Sequence, residues 1–237
     1  MGKASYDEFA AFYDKTVPDS WYEGYANFVI KLAHKAGSSP KSVLELACGT
    51  GRLAQIFYNK GYAVEGLDLS NPMLKEARKR GLKVYKADMT NFKLSKKYDM
   101  IVCVNYSLNH LLTTKALGKC FTSVKKHLDR DGCFIFDIEL LEKGWRGNTT
   151  VLMDSGPHQI VLSTSPKGNI WVTRQFIFEK TRGSMYKRHF TTIKTRSYTL
   201  PMIRTVINDS GLTLLNYVKS NPKVGNQYNK IFICKPK

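Results

Sequence analysis

Between Ser42 and Glu139 the chain alternates short apolar runs with stretches in which apolar residues recur every three or four positions. Ser42–Ala47, Ala63–Asp68, Leu82–Ala87, "YDMIVCVN" (98–105) and "GCFIFDIE" (132–139) read as strands. Gly51–Lys60, Pro72–Arg80 and Lys115–Leu128 read as helices, the second with proline in its first turn, where no N–H is needed. Strands apolar at nearly every position, separated by amphipathic helices, predict an α/β fold with a parallel sheet covered on both faces.

The flanks follow other rhythms. Residues 5–36 read as helical: "SYDEFAAFYDKT" sets Tyr6, Phe9, Ala10 and Tyr13 on one stripe, with Ser5 as cap and Glu8 in the capping-box place. A second helix runs from Trp21 to His34 and stops near Gly37 and Pro40. From about Leu141 the period falls to two. "HQIVLSTS", "NIWVTRQFIFEKT" and "MYKRHFTTIKTRSYT", parted by turns at Pro166–Asn169 and Arg182–Ser184, predict an antiparallel insert. Leu200–Ser210 is a helix closing at Gly211, and "LTLLNYV" and "NKIFICK" are two last strands. The expected organisation is one domain: a helical cover (1–37), a core (42–140), an insert (141–199) and a return to the sheet (200–237).

Composition narrows the class. A chain of 237 residues with 43% hydrophobic and 24% charged side chains suits one soluble globular domain. The five cysteines are odd in number and form no CxxC; Cys103, Cys133 and Cys234 sit in apolar runs, as reduced core residues of a cytoplasmic protein would. The first residues form no signal peptide, Tyr6 stands where myristoylation wants Ser or Thr, and no apolar run approaches a membrane span. Net charge is +18, and residues 151–237 hold 14 basic against 3 acidic side chains. Solvated lysine on a sheet face is one reading of that excess, and an anionic small substrate or a nucleic acid the other.

The most informative residues are "VLELACGTGRLA" (43–54). A strand, a glycine turn and a helix put free backbone N–H groups and a positive helix end at one point. "GTGRLA" also fits the dinucleotide fingerprint, a weak signal alone. Its neighbours sharpen it. Glu45 stands near the strand end, where a carboxylate can meet an ammonium. Asp68 ends the second strand, placed to accept ribose hydroxyls, and Asp88 and Met89 follow the third. All would line the carboxyl ends of neighbouring strands, where open α/β sheets bind ligands.

At this point the chain resembles the class I S-adenosylmethionine-dependent methyltransferases. "VLELACGTG", "VEGLDLSNPMLKEARKRG", "KVYKADMTNF" and "YDMIVCVNYSLNHL" follow that family's motifs in order and spacing. "FAAFYD" near the N-terminus resembles its small-molecule branch, which includes aminosugar N,N-dimethyltransferases. Ala47 departs from the glycine many members carry. The resemblance implies a doubly wound, mostly parallel seven-stranded Rossmann-like sheet, with S-adenosylmethionine as cofactor and S-adenosylhomocysteine as product. It implies that Glu45 approaches the methionyl amine and that Gly49 and Gly51 admit the carboxypropyl group. Asp68 would hold the ribose, Asp88 and Met89 the adenine, and Asn105 would lie by the sulfonium. Leu69 and Met73 adjoin this set, with packing the favoured role.

Two residues stand out for chemistry. His110, just past the fourth strand, is a candidate base for an amine acceptor, and a packed or capping histidine otherwise. Tyr13 is a candidate to close over the methionine moiety, and a core aromatic otherwise. His189 reads as an ordinary strand histidine, and no metal-ligand spacing occurs. Trp145, Trp171, Arg174, Phe176, Arg188 and Arg196 are candidates for an acceptor pocket, with strand register undetermined. The leading expectation is a small-molecule methyltransferase acting on an amino group, the acceptor being anionic. Alternatives are O-methylation, an RNA acceptor, an NAD(P)-linked oxidoreductase, and a non-catalytic adenosylmethionine-binding protein. No (N/D)PP(Y/F) sequence follows the fourth strand.

Overall fold

The computed structural model describes residues 6–7, 9–14, 19–141, 147–154, 156, 158–219 and 229–237. Its centre is a seven-stranded sheet in the order β10-β11-β5-β4-β1-β2-β3. The strands are β1 (Ser42–Leu46), β2 (Ala63–Asp68), β3 (Lys83–Lys86), β4 (Tyr98–Cys103), β5 (Leu128–Glu139), β10 (Leu212–Lys219) and β11 (Asn229–Pro236). β1 to β5 are parallel, and β11 runs antiparallel to both β5 and β10.

The apolar runs are explained by two covered faces. Val43, Val64, Met100, Val102, Cys133 and Ile135 pack under α2 (Asp19–Lys35) and α3 (Arg52–Asn59), which supply Tyr25, Val29, Leu53 and Phe57. Leu44, Leu67, Ile101, Phe134, Phe136 and Phe232 pack against α5 (Thr114–His127) and α6 (Leu200–Asp209). α4 (Asn71–Lys79) is capped by Ser70, whose hydroxyl accepts the Met73 N–H at 3.3 Å. All five cysteines are buried and unpaired. No helix among the described residues is long and apolar enough to cross a membrane.

The insert is a separate antiparallel sheet, β6-β7-β8-β9. β6 (Thr149–Asp154) is a strand that the sequence pattern did not separate from the preceding loop. β7 (His158–Lys167) and β8 (Ile170–Lys180) run into the expected Pro166–Asn169 turn, leaving Gly168 and Asn169 as its loop. β9 is Tyr186–Arg196.

The N-terminal cover also differs. α1 is only Ala10–Tyr13, and the Ser5 cap and Glu8 lie outside the described residues. One turn of helix does not sustain itself. Here Phe9 and Phe12 anchor it on Ile160 and Ile177 of the insert instead of extending the stripe along the core. The cover segment therefore bridges the two sheets.

Gly51, the N-cap of α3, has φ +78°, and a Cβ there would lie 2.5 Å from Leu82 Cδ1 and 3.0 Å from Ala77 Cβ. Gly51→Ala combines left-handed strain of about 1–3 kcal/mol with overpacking of similar size, about 1–3 kcal/mol. We expect at least about 2 kcal/mol lost in urea unfolding; a loss under about 1 kcal/mol would show that α4 and the Leu82 turn yield to the new methyl.

Candidate active site

A cavity of about 1140 Å³ opens at the carboxyl ends of β1, β2, β3 and β4. The cover segment contributes Tyr6, Asp7 and Tyr13 to its wall, and β9 contributes Thr192 and Lys194. Of the residues singled out from sequence, Glu45, Gly49, Asp68, Leu69, Asp88, Met89, Asn105, His110 and Tyr13 all line it. Gly51 is not among the lining residues; its lack of a side chain serves the helix packing described above.

The glycine turn is built from three left-handed residues in five: Ala47 (φ 51°), Gly49 (φ 54°) and Gly51 (φ 78°). The Cys48 N–H is held by Leu67 O at 3.0 Å. Asp68 then fixes the turn from the neighbouring strand. Its Oδ2 accepts the Gly49 N–H at 2.9 Å and its Oδ1 the Ser70 N–H at 2.8 Å. Burial raises the Asp68 carboxyl, and these backbone bonds oppose the rise. A Cβ on Gly49 would approach only Met73 Sδ, at 4.0 Å, so this side of the turn is open to the cavity.

Glu45 is 5% exposed. Burial pushes its carboxyl up to about 8, against a backbone hydrogen bond from Ala54 and with a further push from Asp68. Its Oε2 has no hydrogen-bond partner among the described residues. A buried carboxylate oxygen without a donor is costly, and a donor arriving in the cavity would remove that cost. Asp88 Oδ1 accepts both the N–H and the hydroxyl of Thr90, at 2.8 Å each, which fixes the carboxylate at the rim. Met89 is buried beside it. Met73 is packed, as expected, but Leu69 is not: it is 52% exposed, its side chain standing at the cavity rim.

After β4 the chain makes a 3-10 turn, Ser107–His110, preceded by Asn105 and Tyr106, both at φ 62°. Asn105 Nδ2 donates to Tyr13 Oη at 2.8 Å. His110 Nε2 lies 3.4 Å from Tyr6 Oη, with the two rings edge-on at 5.5 Å. Burial lowers the histidine's pKa, opposed by a hydrogen bond to the backbone of Lys194. The imidazole is thus neutral near pH 7 and able to take up a proton.

The cover is clasped to the core by residues the sequence did not single out. Thr50 Oγ1 donates to Asp14 Oδ1 at 2.6 Å, Arg80 pairs with Asp14 at 2.5 Å, and Ser70 Oγ donates to Asp7 at 2.6 Å. Arg52 donates to Asp14 O at 3.2 Å and pairs with Asp19, its guanidinium 4.4 Å from the centre of the Tyr22 ring.

The expected acceptor pocket needs correction. Trp145 lies outside the described residues. Trp171 is buried and donates to Ser197 Oγ at 2.8 Å, and Arg196 donates to Leu112 O at 3.0 Å. Phe176 packs on Phe190 across the strand pair, ring centres 4.9 Å apart, and Arg174 and Arg188 are exposed. None of these five lines the cavity; Thr192 and Lys194 do. Alternation along "TTIKTR" puts those two on one face, but only the register shows that this face meets the cavity. His189 bonds Glu179 at 3.0 Å and packs against Phe12, as a strand histidine.

The methyltransferase-domain family matches residues 43–132. A putative methyltransferase of Geobacillus sp. is 30% identical over 141 residues, 56% of this chain and 57% of its own length. The dTDP-3-amino-3,4,6-trideoxy-alpha-D-glucopyranose N,N-dimethyltransferase of Streptomyces venezuelae is 29% identical over 154 residues, 62% of this chain and 65% of its own length. The chain therefore spans about three fifths of these two relatives. The crystal structure of an S-adenosylmethionine-dependent methyltransferase from Clostridium acetobutylicum superposes with a TM-score of 0.81. It is 27% identical, and the match covers 98% of this chain and 99% of that one.

The raised Glu45 pKa fixes a sign. The folded protein holds this proton more tightly than the unfolded chain does. The stability this gives is full below about 4.5 and is lost as pH rises through about 8. Glu45→Gln removes the titration. The melting temperature of the variant relative to the parent should therefore climb between about pH 5 and pH 9; a flat difference in calorimetry would show that Glu45 is ionised throughout.

Proposed function

We propose that this chain, which carries a methyltransferase domain at residues 43–132, transfers the methyl group of S-adenosylmethionine to an amino group of a small anionic acceptor. The observation that carries this reading is Glu45 Oε2, a buried oxygen without a donor, beside an open glycine turn. An α-amino acid head fits both, its ammonium toward Glu45 and its carboxylate toward the open side of the turn at Gly49. Asp68 retains lone pairs for a ribose diol, and Asp88 with Met89 suits an adenine ring. Five buried, unpaired cysteines suit a reducing compartment such as the cytoplasm.

When bound, the cofactor would supply a sulfonium methyl for in-line transfer to the amine, with S-adenosylhomocysteine as the leaving group. The chain's part is alignment, exclusion of water and management of one proton. Tyr6 and Tyr13 roof the cavity from the cover segment. His110, neutral and facing the same space, takes the proton an amine must shed to attack. Lys194, which β9 contributes to the cavity wall, meets the acceptor's negative group.

Calorimetry should show S-adenosylmethionine binding and no tight NAD binding; the reverse would sink the reading. Asp68→Ala should weaken cofactor binding by about 1.5–3 kcal/mol, the scale of a hydrogen bond to a charged group. Since both carboxylate oxygens also hold backbone N–H groups, it should lower the melting temperature too. An unchanged dissociation constant in the folded variant would remove Asp68 from the ribose.

Incubating the protein with labelled cofactor and cell extract, with and without ribonuclease, reveals the acceptor by mass spectrometry. With that acceptor, His110→Ala should lower turnover by about 10²–10⁴-fold and leave cofactor affinity nearly unchanged. A loss under about tenfold, with the pH profile unaltered, would leave His110 a positioning role.

A further inference from the structure

Asp137 interrupts the buried apolar run from Cys133 to Ile138. It lies in β5, is fully buried, and forms no ion pair among the described residues. A carboxylate in such a place is costly unless hydrogen bonds satisfy it. Three donors do so. Oδ2 accepts from Tyr25 Oη of α2 at 2.7 Å and from the Asn105 N–H at 3.0 Å, and Oδ1 accepts the Tyr106 N–H at 2.9 Å. Asn105 and Tyr106 are the two consecutive left-handed residues after β4. Neither is glycine, so each is in a conformation that L side chains avoid. Asp137 bonds the amides of both and so pins this shape from behind.

The pinned shape matters because of what Asn105 does in front. Its side chain reaches the cavity and donates to Tyr13 Oη, on the segment that roofs the site. Asp137 touches neither cavity nor roof. It is joined to both through one residue. We propose that Asp137 is a positioning residue: it holds Asn105 in the conformation that latches Tyr13 over the cavity, and so sets how long the cofactor stays. The inference rests on the reading of this cavity as an S-adenosylmethionine site.

Asp137→Asn is the direct test. With its oxygen toward Tyr25 and Asn105, the amide nitrogen faces the Tyr106 N–H. With the amide reversed, the nitrogen faces the Asn105 N–H. Either way one loop amide loses its acceptor. Stopped-flow measurement should show S-adenosylmethionine leaving Asp137→Asn about tenfold faster, the scale of one lost hydrogen bond to a charged group. Asn105→Ala should accelerate release to a similar extent, and the double variant no further, because both act through one latch. Tyr25→Phe removes the third donor without touching the loop. It should lower the melting temperature and leave the release rate within about twofold.

The proposal is overturned if Asp137→Asn releases the cofactor at the parent rate. It is equally overturned if Tyr25→Phe accelerates release as much, since Asp137 would then act only through core stability. Should Asp137→Asn not fold, a parent-like release rate in Asn105→Ala overturns the latch. If the parent itself binds no S-adenosylmethionine, the functional reading fails instead. The clamp is then judged in the ligand-free protein, where Asp137→Asn must speed hydrogen exchange at the Asn105 and Tyr106 amides, and parent-like exchange overturns it.

Discussion

The site depends first on the carboxylate of Asp68. One oxygen takes the Gly49 N–H from the turn after β1, the other the Ser70 N–H ahead of α4. Two adjacent strand ends are thereby fixed by one side chain. Ser70, so placed, caps α4 and donates to Asp7 of the cover. The turn, so placed, keeps Gly49 open to the cavity and presents Thr50 to Asp14. The cover's docking and the cavity's open wall thus both descend from one carboxylate at a strand end.

A second level of organisation comes from the cover itself. Its acidic residues, Asp7 and Asp14, bond to the α/β core, while its aromatic residues, Phe9 and Phe12, bury themselves on the insert. Phe12 packs edge-on to His158 and tilted against His189, with ring centres 4.7 and 5.2 Å away. A segment with too little length to form a stable helix alone is thereby ordered by two unlike surfaces. Because it lies over the cavity and touches both sheets, it gives the tyrosines Tyr6 and Tyr13 defined positions above the carboxylates.

Much of this was legible in the sequence, for physical reasons. A parallel sheet buried on both faces writes apolar strands, and "VLELACGTG" could not be mistaken for an exposed turn. Acids at successive strand ends were predictable because parallel strands deliver their carboxyl ends to one edge. What stayed hidden depended on register or on long-range contact. Period-two alternation in "TTIKTR" does not say which face meets the cavity, so the sequence does not separate Lys194, which lines it, from Arg174 and Arg188, which do not. Trp171 looked like a binding aromatic because its buried bond to Ser197 is unreadable from spacing. Arg52 is buried, clasping Asp14 and Asp19, because of partners more than 30 residues away that helix periodicity does not show. Asp137 passed unnoticed, since its partners lie about 30 and 112 residues away.

The insert's strand order has a consequence for how such a protein changes over evolutionary time. β9 is an outer strand of its sheet, paired on one side only, to β8. Thr192 and Lys194, which line the cavity, therefore each oppose a single cross-strand neighbour, Arg174 and Val172. Replacing them alters one wall of the cavity while disturbing one ladder position, and leaves the glycine turn and its acids on the other sheet alone. This wall can change at small cost to foldability, so it can diverge faster than the glycine turn across the cavity.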